Sequence, residues 1–462
     1  MRTLLVIACL AAAVAACSTS ATPAPGDDGG APDPDPSFST EDRAALAALS
    51  PPTLPEPPAD PSNRFADDPR ARALGQKLFF DGTFAGALLE GDNDGSAAAL
   101  GRVGDVGKIA CAGCHLPSAS FADSRSLHKQ LSLAARWTHR RTPALLDVGH
   151  SKLLMWDGRK DSLFAQIFGP IESVDEMNSS RLYVAERLFA QYRAEYEAIF
   201  GAMPALDDAA RFPTITADTT GCKRSVSDAG RNVYDNCHGK PGDGAEFDRM
   251  APADRDLVTT VVANAGKAIG AYERTLACGA GRFDAWMHGD AAALTRAEQR
   301  GAQLFVGKGR CVTCHSGPYL SDQGFHNVGL KPIGLDPTFR EFLILDDPGA
   351  AAGFAELLAD PLNSAGKWSD GTDGRLPASD GLLGGQKTPT LRCVAQRPSF
   401  MHTGQLQSLD AVVGFFAHGG DAFGYPGKNE LQSLGLSARE QADVVAFLRA
   451  LDGPGPPDAL RH

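Results

Sequence analysis

The 462-residue chain is short of basic side chains: 44 lysines and arginines stand against 56 acidic residues, for a formal net charge of −12. Nucleic acid prefers a basic face, so that class of partner is excluded. The apolar run near the start, Leu4 to Ala13, is too short to span a bilayer on its own. No run alternates apolar and polar residues far enough to support a sizeable sheet. What the chain has in quantity is glycine (50) and proline (31) beside 43% apolar residues. That composition predicts a loop-rich protein with proper cores, in about two to three domains by length.

The stretch that organises the rest is Cys111-Ala112-Gly113-Cys114-His115, which returns as Cys311-Val312-Thr313-Cys314-His315. A lone C-x-x-C also serves as a disulfide, a thioredoxin-like pair or half a zinc site. Zinc needs two further ligands, and neither a second C-x-x-C nor an H-x3-H lies near either motif. With histidine directly after the second cysteine, the pattern is that of covalent c-type haem: each thiol adds across a vinyl group and the imidazole ligates iron. Two copies so far apart predict two haems in two domains.

The chain opens as an export signal, with Arg2 as the positive end, an apolar segment and Val14-Ala15-Ala16-Cys17 resembling a lipobox. This predicts a lipoprotein anchored to the outer membrane through Cys17 and facing the periplasm, where disulfides persist. Of ten cysteines, Cys9 and Cys17 fall in the signal region and four belong to the haem motifs. Cys222, Cys237, Cys278 and Cys393 remain. An even remainder suggests two disulfides; Cys222 with Cys237 is the local choice, leaving Cys278 with Cys393, one of three possible connectivities.

Periodicity and composition divide the chain into a signal (1–16), a disordered Pro/Asp-rich linker (17–62), an N-terminal haem domain (63–205), an irregular insert (206–252) and a C-terminal haem domain (253–462). Helices are expected over Arg70 to Phe80, Arg181 to Phe200, Leu257 to Leu276, Ala297 to Phe305 and Ala438 to Leu451. Residues 328–380 read as loop. The fold class is mainly α: two cytochrome c-like helical domains with long loops.

Arg140-Arg141-Thr142-Pro143, Trp156-Asp157-Gly158-Arg159, Gln166, Pro170 and Glu176-Met177 resemble the signature of bacterial di-haem cytochrome c peroxidases and their relative MauG. Thr388-Pro389-Thr390-Leu391-Arg392 and Phe400-Met401-His402-Thr403-Gly404 resemble the same family's C-terminal motifs. The residues also make chemical sense unaided. Peroxide cleavage needs a group that moves a proton from one oxygen to the other, and Glu176 is the candidate. Gln166 can donate a hydrogen bond without titrating. Trp156 alone reads as a packing residue; the resemblance makes it an electron bridge between the haems. Arg159 fits either a haem propionate or a structural ion pair.

The resemblance also sets expectations for ligands. Where many such peroxidases carry a removable histidine on the first haem, this chain has Leu133, with His128 and His139 off register, so the first iron is expected to be open. Where the second haem's sixth ligand stands, Met in peroxidases and Tyr in MauG, this chain has Phe416. His418 is taken as that ligand, with Met401, His326 or a five-coordinate iron as alternatives. The family's calcium site would here carry Arg141 and Arg397, and two added positive charges argue against calcium. The expected function is H2O2 reduction fed by a small cytochrome c or a cupredoxin. The rival is MauG-like oxidation of aromatic residues in a partner protein, and the third reading is a non-catalytic electron-transfer or redox-sensing cytochrome. The membrane is met only through the lipid anchor, and a homodimer is left open.

Overall fold

Two pairs of crossing helices carry the architecture, and the same device lets each pair close. α1 spans Thr40–Leu49 and α2 Pro69–Phe80. In α2 Asp68 caps the N-terminus through the Arg70 amide and Pro69 opens the first turn, and Ala71, Leu74, Leu78 and Phe79 form its buried stripe. The chain then passes through α3 (Cys111–Cys114), α4 (Leu163–Gln166), α5 (Phe168–Glu172), α6 (Arg181–Gln191) and α7 (Arg193–Phe200). After a hairpin of β1 (Gly221–Val226) and β2 (Asn232–His238) come α8 (Glu246–Arg249) and the long α9, Pro252–Glu273. Helix α9 is buried on nearly all sides and packs on α2, α4 and α6. Gly75 of α2 permits that contact: a Cβ there would stand 1.9 Å from the Ala268 carbonyl oxygen.

The second pair belongs to a half that holds α10 (Arg282–Met287), α11 (Arg296–Val306), α12 (Ala350–Ala359), α13 (Leu409–His418) and α14 (Ala438–Ala450). Here α11 crosses α14, and Gly301 does what Gly75 does, since its Cβ would lie 2.0 Å from the Asp443 carbonyl oxygen. Short antiparallel pairs complete this half: β3 (Phe325–His326) with β6 (Gln386–Lys387), and β4 (Ile333–Asp336) with β5 (Glu341–Ile344). Among the described residues every sheet has two strands, as the lack of alternating runs implied.

This computed structural model describes residues 36–126, 131–226, 232–336 and 341–462. The expected signal, Cys17 and His128 lie outside them. From Phe38 onward the chain forms one compact unit with two main apolar cores. No helix among the described residues is long and apolar enough to cross a membrane.

Three expectations about segments are corrected. The linker does not stay disordered to residue 62, because Ser39 and Asp42 form a capping box on α1, and Leu46 and Leu49 are buried in the second core. The insert over 206–252 contains the β1–β2 hairpin and sends Phe212, Ile215, Phe247 and Met250 into the first core. The expected loop over 328–380 contains α12 and the β4–β5 pair. The disulfides are Cys222–Cys237 and Cys278–Cys393, as the local pairing suggested.

Candidate active site

Each motif occupies one short turn, and in each the histidine is fixed by the chain that follows it. In the first, His115 Nδ1 lies 3.0 Å from the Phe121 carbonyl oxygen; in the second, His315 Nδ1 lies 2.8 Å from that of Leu320. A carbonyl can only accept, so Nδ1 carries the proton and Nε2 is left as the basic nitrogen of a metal ligand. Burial pushes both imidazoles down, His315 to about 4, which keeps them neutral. Cys111, Cys114, Cys311 and Cys314 are free thiols. One cavity of about 1080 Å³ is bordered by all six motif residues. Thiol pairs and neutral imidazoles on a common cavity are a donor set that fits two covalent haems.

Around the first motif the cavity wall is polar. Gln166, at the end of α4, reaches the Met155 sulfur at 3.7 Å through Nε2. Glu176 borders the same space from the loop after α5 and makes no side-chain hydrogen bond to a described residue; burial raises its carboxyl above the usual range, against a lowering by Arg159. Arg159 is ion-paired with Asp157 at 2.9 Å, the structural alternative foreseen for it. Leu133 is buried beside Leu131 and Trp137 and does not border the cavity. His139 is exposed, 3.6 Å from Asp175. Glu273, at the C-terminal end of α9, escaped the sequence reading: it borders the cavity, and burial lifts it to about 8.

Around the second motif the wall that α13 presents is apolar. Helix α13 presents Leu409, Val412, Val413 and Phe416 at helical spacing, and Leu434 and Leu436 adjoin them. His418 is corrected here: it is exposed, its Nδ1 lies 2.6 Å from the Gly414 carbonyl oxygen, and it does not border the cavity. Two residues beyond Phe416 on a helix is just over half a turn away, so the side chain faces solvent. His326 borders the cavity but is held between Glu430 at 2.7 Å and Asp322 at 2.8 Å. Met401 borders the cavity as well.

Trp156 borders the same cavity. Its indole Nε1 donates to the Arg141 carbonyl at 2.8 Å, its own carbonyl accepts from the Lys387 amide at 2.7 Å, and its ring meets that of His402 edge-on at 6.4 Å. The Arg141 guanidinium donates to the Leu131 carbonyl at 2.9 Å and to that of Asp123. Tyr319, stacked on His150 at 3.7 Å, and His402 border the cavity as well.

Residues 69–220 match the family described as di-haem cytochrome c peroxidase. The chain is similar to the methylamine utilization protein MauG of Methylorubrum extorquens, 30% identical over 416 residues that cover 89% of this chain and 86% of that one. It is 29% identical over 455 residues to the cytochrome-c peroxidase IdrP1 of Denitromonas iodatirespirans, covering 97% and 93%. Among solved structures, the diheme peroxidase BthA of Burkholderia thailandensis shares the fold at a TM-score of 0.57 and 21% identity, covering 89% of this chain and 98% of that one. With the paired motifs on one cavity and this extent of likeness, the chain belongs to the family of di-haem cytochrome c peroxidases and MauG.

Proposed function

We propose that the chain is a di-haem c-type peroxidase that reduces H2O2, with two electrons and two protons, to two molecules of water. Cys111, Cys114 and His115 would hold the haem at which peroxide reacts, and Cys311, Cys314 and His315 the haem that stores and relays electrons. Bound haem supplies redox-active iron. Glu176 holds a proton inside the cavity and passes it between the two peroxide oxygens; a buried carboxyl raised toward neutrality suits that task. Gln166 orients peroxide through its amide, and Trp156 offers an aromatic route between the two haems. The observation that carries the reading is that the side chains of Glu176 and Gln166, neither hydrogen-bonded to an oxygen or nitrogen of a described residue, border the same cavity as His115.

Electron paramagnetic resonance of the oxidised protein tests it. A high-spin signal lost on stoichiometric H2O2 addition is expected; two low-spin signals unmoved by peroxide would leave only the electron-transfer cytochrome. The donor would be a small cytochrome c or cupredoxin. The protein would work in the periplasm, held to the outer membrane through Cys17, in a compartment that suits its two disulfides. A second reading, oxidation of aromatic residues in a partner protein as in MauG, is favoured by Phe416, which leaves the second haem without the methionine of conventional peroxidases. Steady turnover with a reduced small cytochrome or cupredoxin separates the two.

A further inference from the structure

Two cations border the cavity with no anion to meet them. Lys387 lies in β6, and its Nζ donates to the Ser151 hydroxyl at 3.0 Å. Arg397 follows the Cys393 turn, and its guanidinium donates to the carbonyl oxygens of Thr390 at 2.7 Å and Arg392 at 3.2 Å, while its Nε has no partner. Both are enclosed by protein and border the cavity. Neither is ion-paired with a described carboxylate. Asp322 acts on Lys387, and Asp147 and Asp452 on Arg397, only from a distance. Burial and mutual repulsion push Lys387 down to about 8, and burial pushes Arg397 down to about 10.

Two like charges enclosed together are costly unless a counter-charge joins them. The surrounding protein supplies carbonyl and hydroxyl oxygens, enough to orient the donors and too weak to neutralise them. Arg397 is close enough to His315 to act on its titration, and the Lys387 backbone is tied to Trp156. The segment between the two cations is tied to the chain that follows His315, since Ser321 donates to the Thr388 carbonyl, Thr390 to the Tyr319 carbonyl and Arg392 to the Pro318 carbonyl, so the pair stands on the side of the second motif. We propose that Lys387 and Arg397 are a carboxylate-binding pair that takes up a propionate of the haem attached at Cys311 and Cys314, and so raises that haem's reduction potential. The inference rests on the di-haem reading.

The test uses the haem-loaded protein. Pyridine haemochrome assay first establishes two haems per chain, which checks the di-haem reading by itself. In K387M and R397Q, redox titration followed optically is expected to show the second haem's potential lowered and the first unmoved, because removing a nearby positive charge disfavours adding an electron. The pH above which that potential stops changing should rise, since a propionate without its cations holds its proton longer. Unchanged potentials in fully loaded variants overturn the proposal. If the variants do not accumulate with haem, a crystal structure of the loaded wild type decides: a propionate oxygen within hydrogen-bond distance of Lys387 Nζ or the Arg397 guanidinium supports it, and none overturns it. Wild-type potentials that depend on chloride or phosphate at constant ionic strength would mean a diffusible anion fills the pair, and also overturn it.

Discussion

The two motif sites carry the same donor set, two thiols and a neutral imidazole, and differ in the residues that border the cavity around them. The first looks onto Gln166, Glu176, Arg159 and Glu273, the second onto Leu409, Val412, Val413 and Phe416. Attachment residues say where a haem sits; the opposite wall says what it can do. A polar wall with a proton-bearing carboxyl suits bond cleavage, while an apolar one suits an electron store.

The sharpest way to break that contrast is to remove the acid from the first wall. Glu176→Gln should lower kcat/KM for H2O2 by roughly 10²- to 10⁴-fold, the usual worth of a positioned acid–base group. Phe416→Leu, at the other wall, should leave the same constant within about twofold, as a substitution that removes no interaction with the reacting atoms. Stopped-flow reaction with peroxide measures both; a loss at Phe416 equal to that at Glu176 would erase the difference between the sites.

Glycine tests whether the two cores, unlike the two walls, are equivalent. Gly75→Ala and Gly301→Ala each gain up to about 1 kcal/mol in helix propensity. Each also drives a Cβ to about 2 Å from a carbonyl oxygen. The clash wins, and a net loss of about 1–3 kcal/mol is expected at both positions. Thermal unfolding of the loaded protein should show both variants lowering a single transition. Two separately shifted transitions would mean that the cores unfold independently.

The contrast can also be reduced by giving the second wall a ligand. Phe416→Met places a thioether on the α13 face that borders the cavity, and should turn the second haem low-spin in electron paramagnetic resonance. No spectral change would indicate that another group, Met401 first among them, already ligates that iron.

The smallest effect is a slope. Glu273 is raised to about 8 by burial, so its neutral form favours the folded state. That contribution is complete below the unfolded carboxyl's ordinary value of about 4.3 and fades as pH rises through 8. Relative to Glu273→Gln, the melting temperature of the parent should fall steadily from about pH 4.5 to 8 and then level off. Parallel curves would show that Glu273 ionises freely in the folded chain.

Much of this molecule was legible from local spacing. The haem motifs are contiguous, α2, α9, α11 and α14 carry their own apolar stripes and stops, and cysteine parity pointed to the observed disulfides. Where spacing ran on past a break, it overshot: the expected helix from Arg181 to Phe200 is interrupted at Tyr192, whose φ of −125° and ψ of 14° leave the helical region. Helix α1 carried a readable capping box at Ser39 and Asp42, but the surrounding proline and aspartate hid it. His418 failed for a different reason. Counting residues gives distance along the chain, whereas ligation depends on which side of α13 a residue occupies. Lys387 and Glu273 lie far in sequence from either motif, and only the fold brings them to the cavity.

The burial of α1 bears on how the chain is assembled. Leu46 and Leu49 lie in one core with Phe447, Leu448 and Leu451, residues from opposite ends of the sequence. Tyr272, in α9 of the first core, donates to the carbonyl oxygen of Leu460, near the C-terminus. Folding therefore cannot run from the first residue to the last as the chain emerges: the N-terminal helix has no finished place to bury its leucines until α14 exists. Contacts this far apart in sequence slow folding and hold early apolar surface open. Expression of either half alone would yield a core missing one of its sides, and both haems would have to be attached to a chain still waiting for its ends to meet.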